Sequence, residues 1–348
     1  AKKGLGGVLS YRLAPIDVST PEDPKIAAMV ADFQAMADRR YFSRFGLRAE
    51  EAIAESGFAL AAEAKATAAG VDSGLGNLIA DAYRAALRAA DPSAAGAPLI
   101  AIQPLGLTRD DLRPGPISVG DVFRVLSLGI GEDGVVGYPL ISAWVTGAEL
   151  LNILEVQGTI AGLKGDAKLD VAGLRFRTNS LRLPMDRVVP RSVEIEEGDG
   201  TWKRLDPKRL YRVVMDLYAG KMVGYVSRVS KGILSVEPKD RNGKPLERLE
   251  DAILDGDGAA PGVQETKSWT SLAGYLKSFP DSDADGLPEL PARYAAGEGR
   301  IVRRSSADFG ELLDKARWTT RIAIGIGVLV VAGLVLGVSA LAKRREKR

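Results

Sequence analysis

Three carboxylates at alternate positions, Asp281, Asp283 and Asp285, run directly into Gly286. That spacing wraps hard oxygen donors around a tight turn, which is how proteins coordinate calcium. A helix–loop–helix calcium site would require a bidentate Glu at loop position 12, where this chain has Ala292. Glu289 is the acid placed to close a smaller site, so Asp281, Asp283, Asp285 and Glu289 are the candidate ligands. The competing expectation is an acidic surface turn held by side-chain-to-backbone bonds. Asp255-Gly-Asp-Gly258 is a weaker pattern and reads as a flexible turn. Arg182, Arg187 and Arg191 form a basic ridge suited to an acidic partner or simply to solvent.

What is missing restricts the chemistry further. The 348 residues include no histidine and no cysteine. This removes Ser-His-Asp triads, histidine general bases, thiolate zinc sites and disulfides. The glycines form neither a phosphate-cradling loop nor a dinucleotide fingerprint. The formal net charge is only +2, and the six C-terminal residues hold five positive charges against one negative. The remainder is slightly acidic and offers nucleic acid no footprint.

Strands and helices interleave without a regular βαβ rhythm, which predicts an α+β fold with a mixed sheet. Alternation over 8–18 predicts a strand up to Pro15. Ile26, Met29, Val30, Phe33 and Met36 form the stripe of a helix opening near Thr20. Strands are expected at 52–60, 98–102, 137–145, 169–178, 188–196 and 211–215, with a hairpin turn at Gly198-Asp199-Gly200. Ser73 is expected to cap a helix, and Ser118-x-x-Asp121 and Thr146-x-x-Glu149 read as capping boxes. Residues 272–278 are expected to be helical, and 301–321 to form a polar approach to a membrane.

The approach leads to Ile322–Leu341, which holds no charged side chain. Twenty apolar residues at about 1.5 Å each match the thickness of a bilayer core. Trp318 and Arg321 stand at the entry, and Lys343, Arg344 and Arg345 open a basic tail at 342–348. The sequence thus predicts one transmembrane helix with its tail in the cytoplasm and its bulk outside, as expected at a bacterial inner membrane. Gly333 and Gly337 have the spacing of a helix-dimer contact. The N-terminal Ala1-Lys-Lys-Gly-Leu-Gly-Gly-Val lacks the apolar core of a signal peptide, so an export leader is expected upstream.

Several segments, in order, resemble a known family. Asp72-Ser-Gly-Leu-Gly-Asn-Leu-Ile-Ala-Asp-Ala82 is similar to the segment opening the C-terminal domain of bacterial 5'-nucleotidases and UDP-sugar hydrolases. Gly115–Leu126, Val145–Leu151, Val171–Phe176, Val263–Trp269 and Asp285–Pro288 follow in that order. The resemblance implies that 45–300 is the substrate-binding domain and that 1–44 is the end of an upstream domain plus a linking helix. It also implies that catalysis belongs to an upstream metallophosphatase domain with two divalent metals held by Asp, His and Asn. Without histidine, this chain is not expected to hold that pair or hydrolyse nucleotides alone.

The binding loops also depart from the family pattern. Gln103-Pro-Leu-Gly-Leu-Thr-Arg109 stands where the family has Asn-Ser-Gly-Gly-Ile-Arg, leaving Gln103 and Arg109 as candidate substrate contacts. Ser127-Leu-Gly-Ile130 replaces Pro-Phe-Gly-Asn, losing a stacking ring and an amide. Lys221-Met-Val-Gly-Tyr225 replaces a glycine-rich loop and keeps Tyr225 as a stacking face. The expectation is a membrane-held accessory or scaffolding subunit with an eroded nucleotide pocket. The alternative is the binding and anchoring part of an exported nucleotide or UDP-sugar hydrolase.

Overall fold

In the computed structural model, residues 11–16, 19–62, 71–94, 96–162 and 165–345 are described, and their backbone divides into two compact units, 1–49 and 50–348. In the first unit, α1 spans Pro24–Arg40. It starts at Asp23, whose carboxylate accepts the Lys25 amide at 2.8 Å, at the end of the Thr20–Asp23 stretch expected to open it. Ile26, Met29, Val30, Phe33 and Met36 are all exposed on it. Residues 11–16 have no regular structure, and the rest of the strand expected at 8–18 lies outside the described residues.

The second unit runs β1 (Ala52–Ser56), α2 (Gly74–Ala90), β2 (Leu99–Pro104), β3 (Gly115–Ser118), α3 (Val119–Val125), β4 (Leu140–Thr146) and α4 (Gly147–Glu155). It continues with β5 (Leu169–Ala172), β6 (Leu174–Asn179), β7 (Glu194–Glu196), β8 (Trp202–Arg204), β9 (Leu210–Asp216), α5 (Leu217–Val229) and α6 (Ser268–Lys277). It ends with β10 (Ile301–Arg304), α7 (Phe309–Leu312) and α8 (Trp318–Arg345). Both capping boxes form, Ser118 with Asp121 and Thr146 with Glu149, because each side chain satisfies an orphan amide of the first turn.

The strands make three sheets, ordered β1-β3, β10-β6-β7-β8 and β4-β9-β2-β5. The two larger sheets are mixed: β2 runs parallel to β9 and β10 parallel to β6, while the other pairs are antiparallel. This is the expected α+β architecture. The apolar core joins them through Ile100, Ile102, Val171, Val213, Phe176 and Ile195.

The single strand expected over 169–178 is two strands in different sheets. Gly173 breaks it with φ +74°, and a Cβ there would lie 2.0 Å from the Leu99 carbonyl oxygen. Pro190 opens a short 3-10 turn, which shortens the strand expected at 188–196 to β7. After α4 the chain widens into an underwound π turn, Val156–Ile160, beside buried Glu155. Glu155 accepts the Val188 amide at 2.6 Å and the Thr159 hydroxyl at 3.0 Å.

The helix α8 covers the expected membrane segment, but among the described residues no helix is long and apolar enough to cross a membrane. The side chains from 337 onward lie outside the described residues, and with them Gly337, Lys343, Arg344 and Arg345.

Gly173→Ala meets both a left-handed backbone and a carbonyl, so it should lower unfolding free energy by about 2 kcal/mol or more. Urea denaturation measures this, and a loss within about 0.5 kcal/mol would show that the break between β5 and β6 does not depend on glycine.

Candidate functional site

In the central sheet, β2 and β9 run parallel and both open at their carboxyl ends into the segments expected to bind substrate. Ligands in sheets with parallel strands collect beyond such ends. From β2 the chain passes through a 3-10 turn, Leu105–Leu107, to Arg109. From β9 it enters α5 at Asp216, which caps the helix by accepting the Ala219 amide at 2.8 Å.

Asp216 is fully buried, and burial raises its carboxyl pKa to about 6 against the pull of the Ala219 and Tyr218 amides. Burial first, then the Asp216 charge, also pushes up the hydroxyl pKa of Tyr83 on α2 and of Tyr138 before β4. Tyr138 and Tyr218 form a tilted ring pair with centroids 5.5 Å apart. Tyr218 is 42% exposed, so one face of this pair meets solvent above a buried acid. Neither tyrosine was identified from sequence. The visible signal was their flanking of Pro139 and Asp216, but only the fold brings positions 138 and 218 together.

The loop carrying Ser127–Ile130 is held by a buried lysine. Lys267 is 1% exposed, and its ammonium donates to Asp133 at 2.7 Å and to Glu265 at 2.6 Å. A Cβ at Gly131 would lie 1.8 Å from a Glu265 carboxylate oxygen and 2.3 Å from the Lys267 ammonium, so a larger residue here would push the ends of both side chains aside. The Val263–Trp269 segment therefore serves this end of the domain as a staple. An adjoining cleft is lined by Ile141, Val145, Val213, Met215, Val223 and Leu249, and so has no group that would orient a phosphate.

No hydrogen bond or ring contact joins Gln103, Arg109 and Tyr225 to one another. Gln103 is wholly buried on β2 beside Asp170, with its amide nitrogen 3.1 Å from the Pro104 carbonyl oxygen. Arg109 is exposed, and its guanidinium turns back onto the Gly106 carbonyl of its own loop. Tyr225 is exposed within α5, so the loop expected at 221–225 is helix instead, a consequence of the Asp216 cap.

The acidic loop is a second cluster. Asp281, Asp283 and Glu289 bring one carboxylate oxygen each within 4.8 Å of one another, as do Glu55, Asp283 and Asp285. Glu289 is oriented by the Ser282 amide at 2.7 and 2.8 Å and the Asp283 amide at 3.0 Å. Glu55, missed from sequence, lies on β1, which bonds to the loop through the Pro288 carbonyl and the Leu290 amide. Local desolvation, then the charges of Asp285, Asp283, Glu289 and Asp281, raises the Glu55 pKa. All the donors are oxygens, which suits calcium or magnesium rather than a soft metal.

A mixed-sheet α+β domain, with its candidate surface at the carboxyl ends of β2 and β9, is what the fold and site define. Residues 52–226 match the model of the 5'-nucleotidase C-terminal domain, about half the chain, and the chain belongs to that family. No curated protein matches it. Among solved structures, the 5'-nucleotidase precursor of Thermus thermophilus is 24% identical, with 81% of this chain and 43% of that one covered and a TM-score of 0.51. The NAD nucleotidase of Haemophilus influenzae is 16% identical, covering 82% and 42%, with a TM-score of 0.48. The sulfate thiohydrolase SoxB of Thermus thermophilus is 16% identical, covering 80% and 38%, with a TM-score of 0.45. The chain spans less than half the length of each.

Because the folded state holds the Asp216 proton more tightly than the unfolded chain does, Asp216 favours folding most below about pH 4, and that contribution fades as pH rises through about 6. Asp216→Asn keeps a cap acceptor and cannot ionise. Between about pH 4 and pH 7 it should lose less stability than the parent chain, by an amount on the order of 3 kcal/mol. Urea titrations at the two ends of that range measure the difference, and parallel stability curves would contradict the assignment.

Proposed function

We propose that this chain is a membrane-held, extracytoplasmic 5'-nucleotidase C-terminal-like domain acting as a non-catalytic accessory or scaffolding subunit. The observation that carries this reading is the dispersal of Gln103, Arg109 and Tyr225: one is buried under α2, one is bonded to its own loop and one stands exposed on a helix. The absence of histidine supports the non-catalytic half of the reading. Support for the anchor comes from the exposed Ile322, Ile324, Ile326, Leu329, Val330, Val331, Leu334 and Leu336 on α8, followed in sequence by the basic tail. On this reading 45–300 is the domain, 301–321 the approach, and 322–341 the span of a bacterial inner-membrane helix. Gly333, which faces open space, provides with Gly337 a close-approach surface for a second copy.

The alternative keeps substrate binding and assigns catalysis to a metal-dependent domain upstream. The Tyr138–Tyr218 pair favours it, because an exposed ring pair can stack on a base. Thermal unfolding with AMP separates the two readings. Millimolar AMP should shift the melting temperature by less than about 1 °C, since a ligand that does not bind the folded state cannot stabilise it. A shift of several degrees that is lost in Tyr218→Ala would establish the alternative instead.

A calcium ion held by Asp281, Asp283, Asp285 and Glu289, with Glu55 beside them, belongs to the same proposal and would relieve the mutual repulsion of these acids. Millimolar calcium should raise the melting temperature by a few degrees, and Asp283→Asn should remove the response. Identical melting curves with calcium and with chelator would dismiss the ion.

A further inference from the structure

The first turn of α8 is bonded into the domain. Asp186 is buried and accepts the Arg317 amide at 3.1 Å and the Thr320 hydroxyl at 2.6 Å, which caps the helix start. Arg182, with a fully buried side chain, pairs with Asp186 at 2.9 Å and donates to the carbonyls of Glu311 at 2.6 Å and Asp314 at 3.1 Å. Arg317 reaches the Asn152 side chain at 2.7 Å and the Ile233 carbonyl at 3.3 Å. The Met185 amide, 2.8 Å from the Thr159 hydroxyl, extends the network to Glu155 and the π turn. Such a set of buried charge-assisted bonds makes the junction a fixed joint rather than a loose tether.

Around that joint large apolar side chains are exposed, with Asp308, itself exposed and paired with Arg191, beside Phe309. Leu181 is 55% exposed, Leu183 42%, Phe309 79%, Leu313 49% and Trp318 66%. Arg182, between the two leucines, bonds to the carbonyls of 311 and 314, so these side chains come from segments held against one another at the root of α8. Exposed cations border them at Arg303, Arg304, Lys315 and Arg321. The patch is continuous with the exposed apolar side chains of α8 from Ile322 onward. Aromatic and aliphatic side chains ringed by Arg and Lys are what an anionic lipid headgroup layer takes up.

We infer that the face formed by the 181–185 turn and residues 305–318 beds into the lipid headgroup layer, so that the domain stands on the bilayer in one orientation fixed by the Asp186–Arg182–Arg317 joint. This rests on the membrane anchorage proposed above. It adds that Leu181, Leu183, Phe309 and Leu313 touch lipid, which a domain carried on a flexible stalk would not require.

The chain has no cysteine, so single labelling sites can be introduced cleanly. Leu183→Cys, Phe309→Cys and Leu313→Cys, each exposed and so no burden on folding, would carry a polarity-sensitive fluorophore. The full chain would be reconstituted into vesicles of phosphatidylethanolamine and phosphatidylglycerol containing lipids with a headgroup-level nitroxide. Ile326→Cys serves as the helix reference and Ser282→Cys, in the acidic loop, as the aqueous reference. The three labels should shift to the blue and lose about half their emission to the nitroxide, while Ser282→Cys stays unquenched. If Ile326→Cys is protected in the bilayer while labels at 183, 309 and 313 stay aqueous, the footprint is overturned and the anchor survives. If Ile326→Cys is aqueous too, the anchor reading and the footprint fail together.

Discussion

A buried carboxyl joins the parts of this domain. Asp170 on β5 accepts the Ser73 amide at 2.6 Å and the Ser73 hydroxyl at 3.1 Å, and that same hydroxyl caps α2 by accepting the Gly76 amide at 2.9 Å. Burial raises the Asp170 pKa to about 7, partly offset by those bonds, so the pairing is made in a dry interior where a lost partner is costly. The neighbouring Asp72 takes the Asn77 amide group at 2.8 Å and the Glu298 amide at 2.9 Å. The helix, the central sheet and the approach to β10 therefore meet at one polar point. Gly76 is there because a Cβ would sit 1.9 Å from the Asp170 carboxylate. With α2 seated this way, Tyr83 is brought over Asp216, and the end of β9 becomes a platform for the Tyr138–Tyr218 pair.

What could be read from sequence was local. The caps at Ser73, Ser118 and Thr146 were legible because a hydroxyl three residues before its target amide is a contiguous pattern. The central strands β2, β4 and β9 were legible from short apolar runs. The break at Gly173 was not, because a left-handed glycine inside a strand-like run shows only when the strands on either side enter different sheets. Tyr225 was placed in a loop by analogy, and the helix prevailed because the Asp216 cap is formed by a residue that reads in sequence as the end of a strand. Glu55 escaped notice for a similar reason. It joins the acidic loop only through strand bonds spanning more than two hundred positions of chain.

The two ends of the second unit work differently. At the carboxyl ends of β2 and β9, a polar interior lies under an aromatic surface, and the side chains expected to grip a nucleotide point elsewhere. At the root of α8, buried Arg182 and Asp186 pair with one another, and large apolar side chains stand exposed among charged ones. Bonding of this kind in a protein interior maintains a geometry, whereas no hydrogen bond joins Gln103, Arg109 and Tyr225 to one another. On the function proposed above, the domain serves position and attachment rather than chemistry.

That conclusion can be tested through phosphate release. The purified chain, supplied with AMP or a UDP-sugar and millimolar manganese, should release no phosphate above the buffer control over hours. Turnover even near 1 s⁻¹, the low end for ordinary enzymes, would contradict the account, because it would require a metal-assisted centre built without histidine in a domain assigned to binding and attachment.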